Sequence, residues 1–173
     1  MRQVSKIFAI AIVLMAFSAS MFAQDTESVS ASATIISPIT LTKNTDLNFG
    51  YIAPGTVAGS VTIVEGATPS RSASNCVIYT SGAFSGFTQA QLTVGGNLNA
   101  AYSLTISSGT VSLTGTGPAM TATLTNTSAS GTTTLDATGS DIIYIGGTLD
   151  LDNSTNQTAG AYTGSFNVTV DYE

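Results

Sequence analysis

Histidine and tryptophan are absent from the 173-residue sequence, and cysteine occurs once. Without histidine there is no Ser-His-Asp or Cys-His pair and no imidazole ligand for zinc. The side chain that ordinarily titrates near neutral pH is missing as well. Cys76 cannot form an internal disulfide, and with no histidine to activate it, it makes a poor nucleophile. Its setting, Asn75-Cys76-Val77-Ile78-Tyr79, reads as a small hydrophobe at the start of an apolar strand, with intermolecular pairing as the alternative.

Positive charge is scarce too. Arg2 and Lys6 precede an apolar run from Ile7 to Phe17, followed by the small residues Ser18, Ala19 and Ser20. That is the three-part pattern of a secretory signal peptide, and the run is shorter than the about 20 residues a spanning helix needs. Cleavage after Ala23 is expected, with Ala19 or Ser20 as the alternative. Domain boundaries follow: a cleaved signal peptide at 1–23, an extension or first strand at 24–36, and a folded domain at 37–173.

The mature chain then holds Lys43 and Arg71 against ten carboxylates, a formal charge of −8. So acidic a surface repels phosphate backbones and anionic lipid, which argues against nucleic-acid binding and membrane insertion. The signal peptide predicts export from the cytoplasm. About 150 residues suffice for one domain with a real core.

No window shows helical spacing, whereas turn signals recur at roughly ten-residue intervals, the rhythm of an all-β sandwich or barrel. Val29, Ala31, Ala33 and Ile35 alternate with serine and threonine until Pro38 interrupts. Leu47 and Phe49, and then Val57, Val61 and Ile63, are expected to point inward. Gly66 to Asn75 reads as a polar loop carrying Arg71, and Phe84 and Phe87 as cover for one end of the core. Tyr102, Leu104 and Ile106 alternate clearly, as do Met120, Ala122 and Leu124. Ile142 to Ile145 reads as a central strand buried on both faces, ended by a Gly146-Gly147 turn. Last, Tyr162, Phe166, Val168, Val170 and Tyr172 share one parity with Gly160 and Gly164, predicting one long half-buried strand. The expected architecture is an immunoglobulin-like two-sheet sandwich of about 8–10 strands.

Little in the pattern suggests chemistry. Asp150, Asp152 and Asn153 could offer oxygen ligands to Ca²⁺. They lack the glycine and the downstream bidentate glutamate of an EF-hand loop, so a solvated loop is the better reading. Four Asn-x-Ser/Thr matches, at Asn126, Asn153, Asn156 and Asn167, are what chance supplies in so hydroxyl-rich a chain. Tyr79, Tyr102, Tyr144 and Tyr162 could in principle stack sugars, but read better as core rings with hydroxyls at the margin. No catalytic group and no cofactor is expected.

Four stretches carry a family likeness. They are Ile39-Thr40-Leu41-Thr42-Lys43-Asn44-Thr45-Asp46-Leu47-Asn48-Phe49-Gly50, Ala100-Ala101-Tyr102-Ser103-Leu104-Thr105-Ile106, Ile145-Gly146-Gly147-Thr148-Leu149, and the run from Gly160 to Tyr172. In this order they resemble the DUF4402 family of exported bacterial domains. More distantly, the chain is similar to spore-coat-U-type and chaperone–usher fimbrial subunits. Those proteins share an alternating terminal strand with a penultimate tyrosine, here Tyr172, and a glycine fourteen residues from the end, here Gly160.

The distant likeness implies a non-enzymatic, pilin-like structural subunit of a fibre, coat or matrix, located in the periplasm, at the cell surface or outside a Gram-negative-type bacterium. In such subunits the terminal strand lines a groove, filled first by a periplasmic chaperone working with an usher. The N-terminal extension of another copy then fills it by β-strand addition. Val29, Ala31, Ala33 and Ile35 would be the donor face, and Gly160, Tyr162, Gly164, Phe166, Val168, Val170 and Tyr172 the terminal-strand face. The chain departs from that pattern in having no disulfide, and Ala31 and Ala33 are small for groove-filling residues. The alternative is a surface module binding glycans or Ca²⁺ through loops 66–75, 126–141 and 152–160.

Overall fold

The computed structural model describes residues 25–84, 86–127, 132–152 and 156–173. The signal-peptide segment and Asn153 lie outside the described residues. The chain divides into two units, Met1–Ile35 and Ile36–Glu173. In the first, residues 25–35 form no helix or strand.

The second unit is essentially all-β. Its strands are β1 (Thr40–Thr45), β2 (Ile52–Pro54), β3 (Gly59–Val64), β4 (Ser70–Ser74), β5 (Cys76–Ile78), β6 (Ala90–Gly95) and β7 (Ala101–Ile106). They continue with β8 (Thr110–Gly115), β9 (Met120–Asn126), β10 (Thr132–Thr134), β11 (Ser140–Leu151), β12 (Tyr162–Thr163) and β13 (Val168–Tyr172). One sheet runs β1-β6-β11-β9-β8-β12, with β3 joining β11 to β4. A second runs β10-β7-β13, and a third pairs β2 with β5.

The twelve-residue β11 is the spine of the large sheet. Ile145 is matched to Ala90 of β6 and also to Asn126 of β9, so β6 and β9 occupy opposite edges. Further along, Leu149 is matched to Val61 of β3 and Ala122 of β9. Hence β6 and β3 follow one another along the same edge, and the sheet forks between them at Gly146. The expected Gly146-Gly147 turn is therefore a straight passage through the middle of a strand. Glycine is needed there because neighbouring backbone is close on both sides. A Cβ on Gly146 would run into the Ile63 carbonyl, and one on Gly147 into that of Thr123.

Two apolar clusters make the core. One gathers Phe49, Val61, Ile63, Val111, Met120, Ala122, Leu149 and Leu151; the other gathers Ala90, Leu92, Val94, Tyr102, Leu104, Leu135, Ile143 and Ile145. Leu47, Leu124 and Phe166 touch both. Each large aliphatic side chain buried here stabilises the fold by about 1.5–3 kcal/mol. On the outer face the hydroxyls line up across strands: Thr62, Thr148 and Thr123 lie in register, with the first two hydrogen-bonded at 3.0 Å. Threonine keeps the β-branched shape a pleated sheet favours while presenting a polar atom to water.

Several expectations need correction. The run Ile142 to Ile145 alternates, with Ile143 and Ile145 buried and Ile142 44% exposed, because β11 has core on one face only. Residues 66–75 are not simply a loop, since Ser70 to Ser74 pairs with β3 along its whole length. Val57 precedes β3 and is exposed. The expected long terminal strand is two short ones: β12 pairs with β8, and β13 pairs with β7 in another sheet. Residues 164–167 cross between them. The parity nonetheless persists, because Tyr162, Phe166, Val168, Val170 and Tyr172 are half-buried while Thr163, Ser165, Asn167, Thr169 and Asp171 are exposed.

Candidate functional site

β13 pairs only with β7, from Val168 opposite Ile106 to Tyr172 opposite Tyr102, and β1 pairs only with β6. Each strand therefore has one edge without a ladder partner among the described residues. The two strands approach within 8 Å between Cα atoms. Ile39 and Leu41 at β1, and Val168, Val170 and Tyr172 on β13, pack half-buried on the same core cluster. Unpaired edges bearing apolar side chains are ready to accept another strand.

Tyr172 closes one end of this arrangement. Its hydroxyl accepts a hydrogen bond from the Asn97 amide at 2.6 Å and donates one to the Ser37 carbonyl at 2.8 Å. The last strand is thereby tied to the β6–β7 turn and to the approach to β1.

Only part of the sequence-defined terminal face reaches this edge. Phe166, Val168, Val170 and Tyr172 pack on the β7 side. Tyr162 packs on the other cluster and donates its hydroxyl to the Thr158 carbonyl at 2.8 Å. Gly160 lies against Thr116, and Gly164 against β8. Of the donor-type residues, Val29 and Ile35 are 92% and 97% exposed, and Ala31 and Ala33 are exposed as well.

The metal candidates stay apart from one another in role. Asp150 is an exposed residue of β11 in register with Thr121 and Ser60. Asp152 accepts a hydrogen bond from Asn156 Nδ2 at 2.8 Å. No group of three His, Cys, Asp or Glu residues suited to a metal ion occurs among the described residues. Cys76 is half-buried, with its thiol 3.4 Å from the Ser60 carbonyl, and burial pushes its pKa up. An open cleft beside β8 is lined by Thr110, Val111, Ser112, Thr114, Thr163, Gly164 and Ser165, which supply hydroxyls and backbone but no carboxylate.

Asp136 does have a defined task. One of its oxygens, Oδ1, accepts from Thr138 N and Oγ1, both at 2.7 Å, and from Ser140 N at 2.9 Å, which shapes the approach to β11. Chiefly the Thr138 hydroxyl, and then these amides, hold its carboxyl below the usual aspartate range. Because the folded-state pKa is depressed, this brace is intact above the ordinary aspartate pKa and is lost as pH falls through the lower, folded value. Asp136→Asn should therefore flatten the acid limb of a thermal-stability profile. An unchanged acid limb in that variant would show the brace to be irrelevant.

The aromatic side chains depart furthest from their expected places. Tyr102 is fully buried, with its hydroxyl 2.6 Å from Asp141 Oδ2. Tyr144 and Tyr162 are half-buried, and Tyr79 is 43% exposed. Phe87 does pack on the core, but Phe84 is 57% exposed and covers none of it. Phe84 instead meets Tyr51 edge-on at 5.3 Å and Tyr79 at 6.0 Å between ring centroids.

Arg71 is anchored to the backbone near Tyr51 and at Tyr79. It donates to the Phe49 carbonyl at 2.8 Å and the Tyr79 carbonyl at 2.6 Å, and its guanidinium lies 5.1 Å from the Phe87 ring. Sequence periodicity does not single out Tyr51, which sits in no alternating run, and Phe84, expected to cover the core, faces solvent instead.

Residues 39–172 match the model for DUF4402, a domain of unknown function. The chain belongs to the DUF4402 family. The matched span of this DUF4402 domain takes in the strands from β1 to β13, including the two edges that have no ladder partner among the described residues. No curated protein and no solved structure matches the chain.

Proposed function

We propose that this DUF4402 protein is an exported, non-enzymatic structural subunit of a surface fibre, coat or matrix. In this reading residues 37–173 form an immunoglobulin-like, pilin-like two-sheet sandwich that is completed by β-strand addition. The observation that carries it is the pair of neighbouring unpaired edges, β1 and β13, flanked by half-buried apolar side chains. The exposed alternating segment Val29, Ala31, Ala33, Ile35 supplies a strand of matching character. Backbone hydrogen bonds would give such a contact its affinity, and the alternate apolar side chains its register. The partner is another copy of the chain, with a periplasmic chaperone and usher as the assembly route.

The test uses the mature chain and its Val29→Asp/Ile35→Asp variant on native gels across a wide concentration range. The wild type should form a ladder of species that the double variant lacks. A peptide of residues 24–36 added in excess should shorten the ladder. A wild type that stays monomeric throughout and does not bind the peptide would end the strand-addition reading.

A further inference from the structure

We propose that Tyr51, Tyr79 and Phe84 form a binding site for a neutral saccharide, separate from the strand edges. The register of the small sheet places them. Ile52 is opposite Ile78, and both pack on the core; the next pair outward, Tyr51 and Tyr79, is joined by the Tyr79 amide donating to the Tyr51 carbonyl at 3.3 Å. Side chains alternate along a strand, so the two tyrosines face the other way, as does Val77. Tyr51, Tyr79, Val77 and Phe84 are 52%, 43%, 58% and 57% exposed. A cluster of large apolar side chains left in water marks an interaction site.

The cluster is held in shape before any ligand arrives. Arg71 pins the backbone on both sides of it, at Phe49 and Tyr79. Gly50, at φ +77°, brings the chain so close to Gly86 and Arg71 that no Cβ would fit. The interplanar angles of 72° and 55° make a corner of ring faces and edges rather than a flat stack.

Charge selects among ligand classes. A three-ring corner can serve as a cage for quaternary ammonium groups. Here the Arg71 guanidinium donates to the Tyr79 carbonyl at 2.6 Å, which sets a positive charge beside the cluster, and among the described residues no carboxylate forms an ion pair with it. Both features disfavour a cation. An anion gains little, because Arg71 Nη1 and Nη2 are already committed to backbone carbonyls and its Nε, though without a hydrogen-bond partner, is buried. A pyranose fits what remains: its C–H face stacks on an aromatic ring, and its hydroxyls can bond to the tyrosine hydroxyls.

The experiment titrates the mature chain, followed by NMR, with cellohexaose, maltohexaose, xylohexaose and laminarihexaose. Oligogalacturonate and choline serve as charged controls. At least one neutral hexaose should bind saturably and shift resonances of residues 49–54 and 77–87. Tyr79→Ala and Phe84→Ala, each with wild-type circular dichroism, should weaken that binding by about tenfold or more. The proposal is overturned if none of the four neutral sugars binds, if choline or oligogalacturonate binds in their place, or if the variants bind as wild type does. It is overturned equally if the variants shorten the native-gel ladder without any sugar binding, which would make the cluster a contact between copies. The Val29→Asp/Ile35→Asp variant should bind sugar unchanged, so the saccharide site and strand addition can fail separately.

Discussion

Tyr102→Ala should be among the most damaging single substitutions in the chain, lowering stability by about 3–5 kcal/mol in urea unfolding. The ring is fully buried in the cluster with Leu92, Val94, Leu104, Leu135, Ile143 and Ile145. Truncation removes apolar contact and leaves a cavity between β7 and the large sheet, which paired strands cannot close by small shifts. It also strands Asp141, whose Oδ2 loses the phenolic donor at 2.6 Å. Tyr102→Phe separates the two effects. It keeps the ring and deletes the hydrogen bond to a carboxylate, and should lower stability by about 1.5–3 kcal/mol. If both variants unfold at the wild-type midpoint, Tyr102 does not organise this core.

Gly147→Val should be nearly as severe, for a different reason. Gly147 lies in β11 between Ile63 of β3 and Leu124 of β9, at φ +156°. A side chain there meets the Thr123 carbonyl and comes within 3.2 Å of Leu124 Cα, both backbone atoms of a paired strand. Backbone cannot step aside as a flexible side chain can, so β9 must separate from β11. Overpacking and the disfavoured φ together should lower stability by about 2–5 kcal/mol. Gly109→Ala is the control, since nothing lies within 4 Å of its added Cβ. It should stay within about 0.5 kcal/mol of wild type. Equal effects at the two positions would mean that the fork in the sheet is not where the strain arises.

These two positions differ in how far the sequence announces them. Tyr102 heads an alternating run, Tyr102-Leu104-Ile106, and its burial is legible from that pattern alone. Gly146 and Gly147 read as a turn, because paired glycines usually mark one. What overrides that expectation is a contact remote in sequence: the carbonyls of Ile63 and Thr123 crowd β11 from either edge. Similarly, Ser70 to Ser74 carries no apolar alternation, yet it pairs with β3 through backbone groups that side-chain periodicity does not report.

The sequence by itself determined the all-β class and the membership in DUF4402. It also determined which side of the terminal segment turns inward. A period of two fixes faces wherever a strand forms, and Tyr162 to Tyr172 keeps that parity even across the break between β12 and β13. Only the tertiary structure decided the edges. It divided the terminal segment between two sheets, forked the large sheet at Gly146, left β1 and β13 each half-paired, and turned Tyr51 and Tyr79 outward. The physical reason is that side-chain alternation is local, whereas the partner of a backbone N–H in a sheet is chosen by residues far away in the chain.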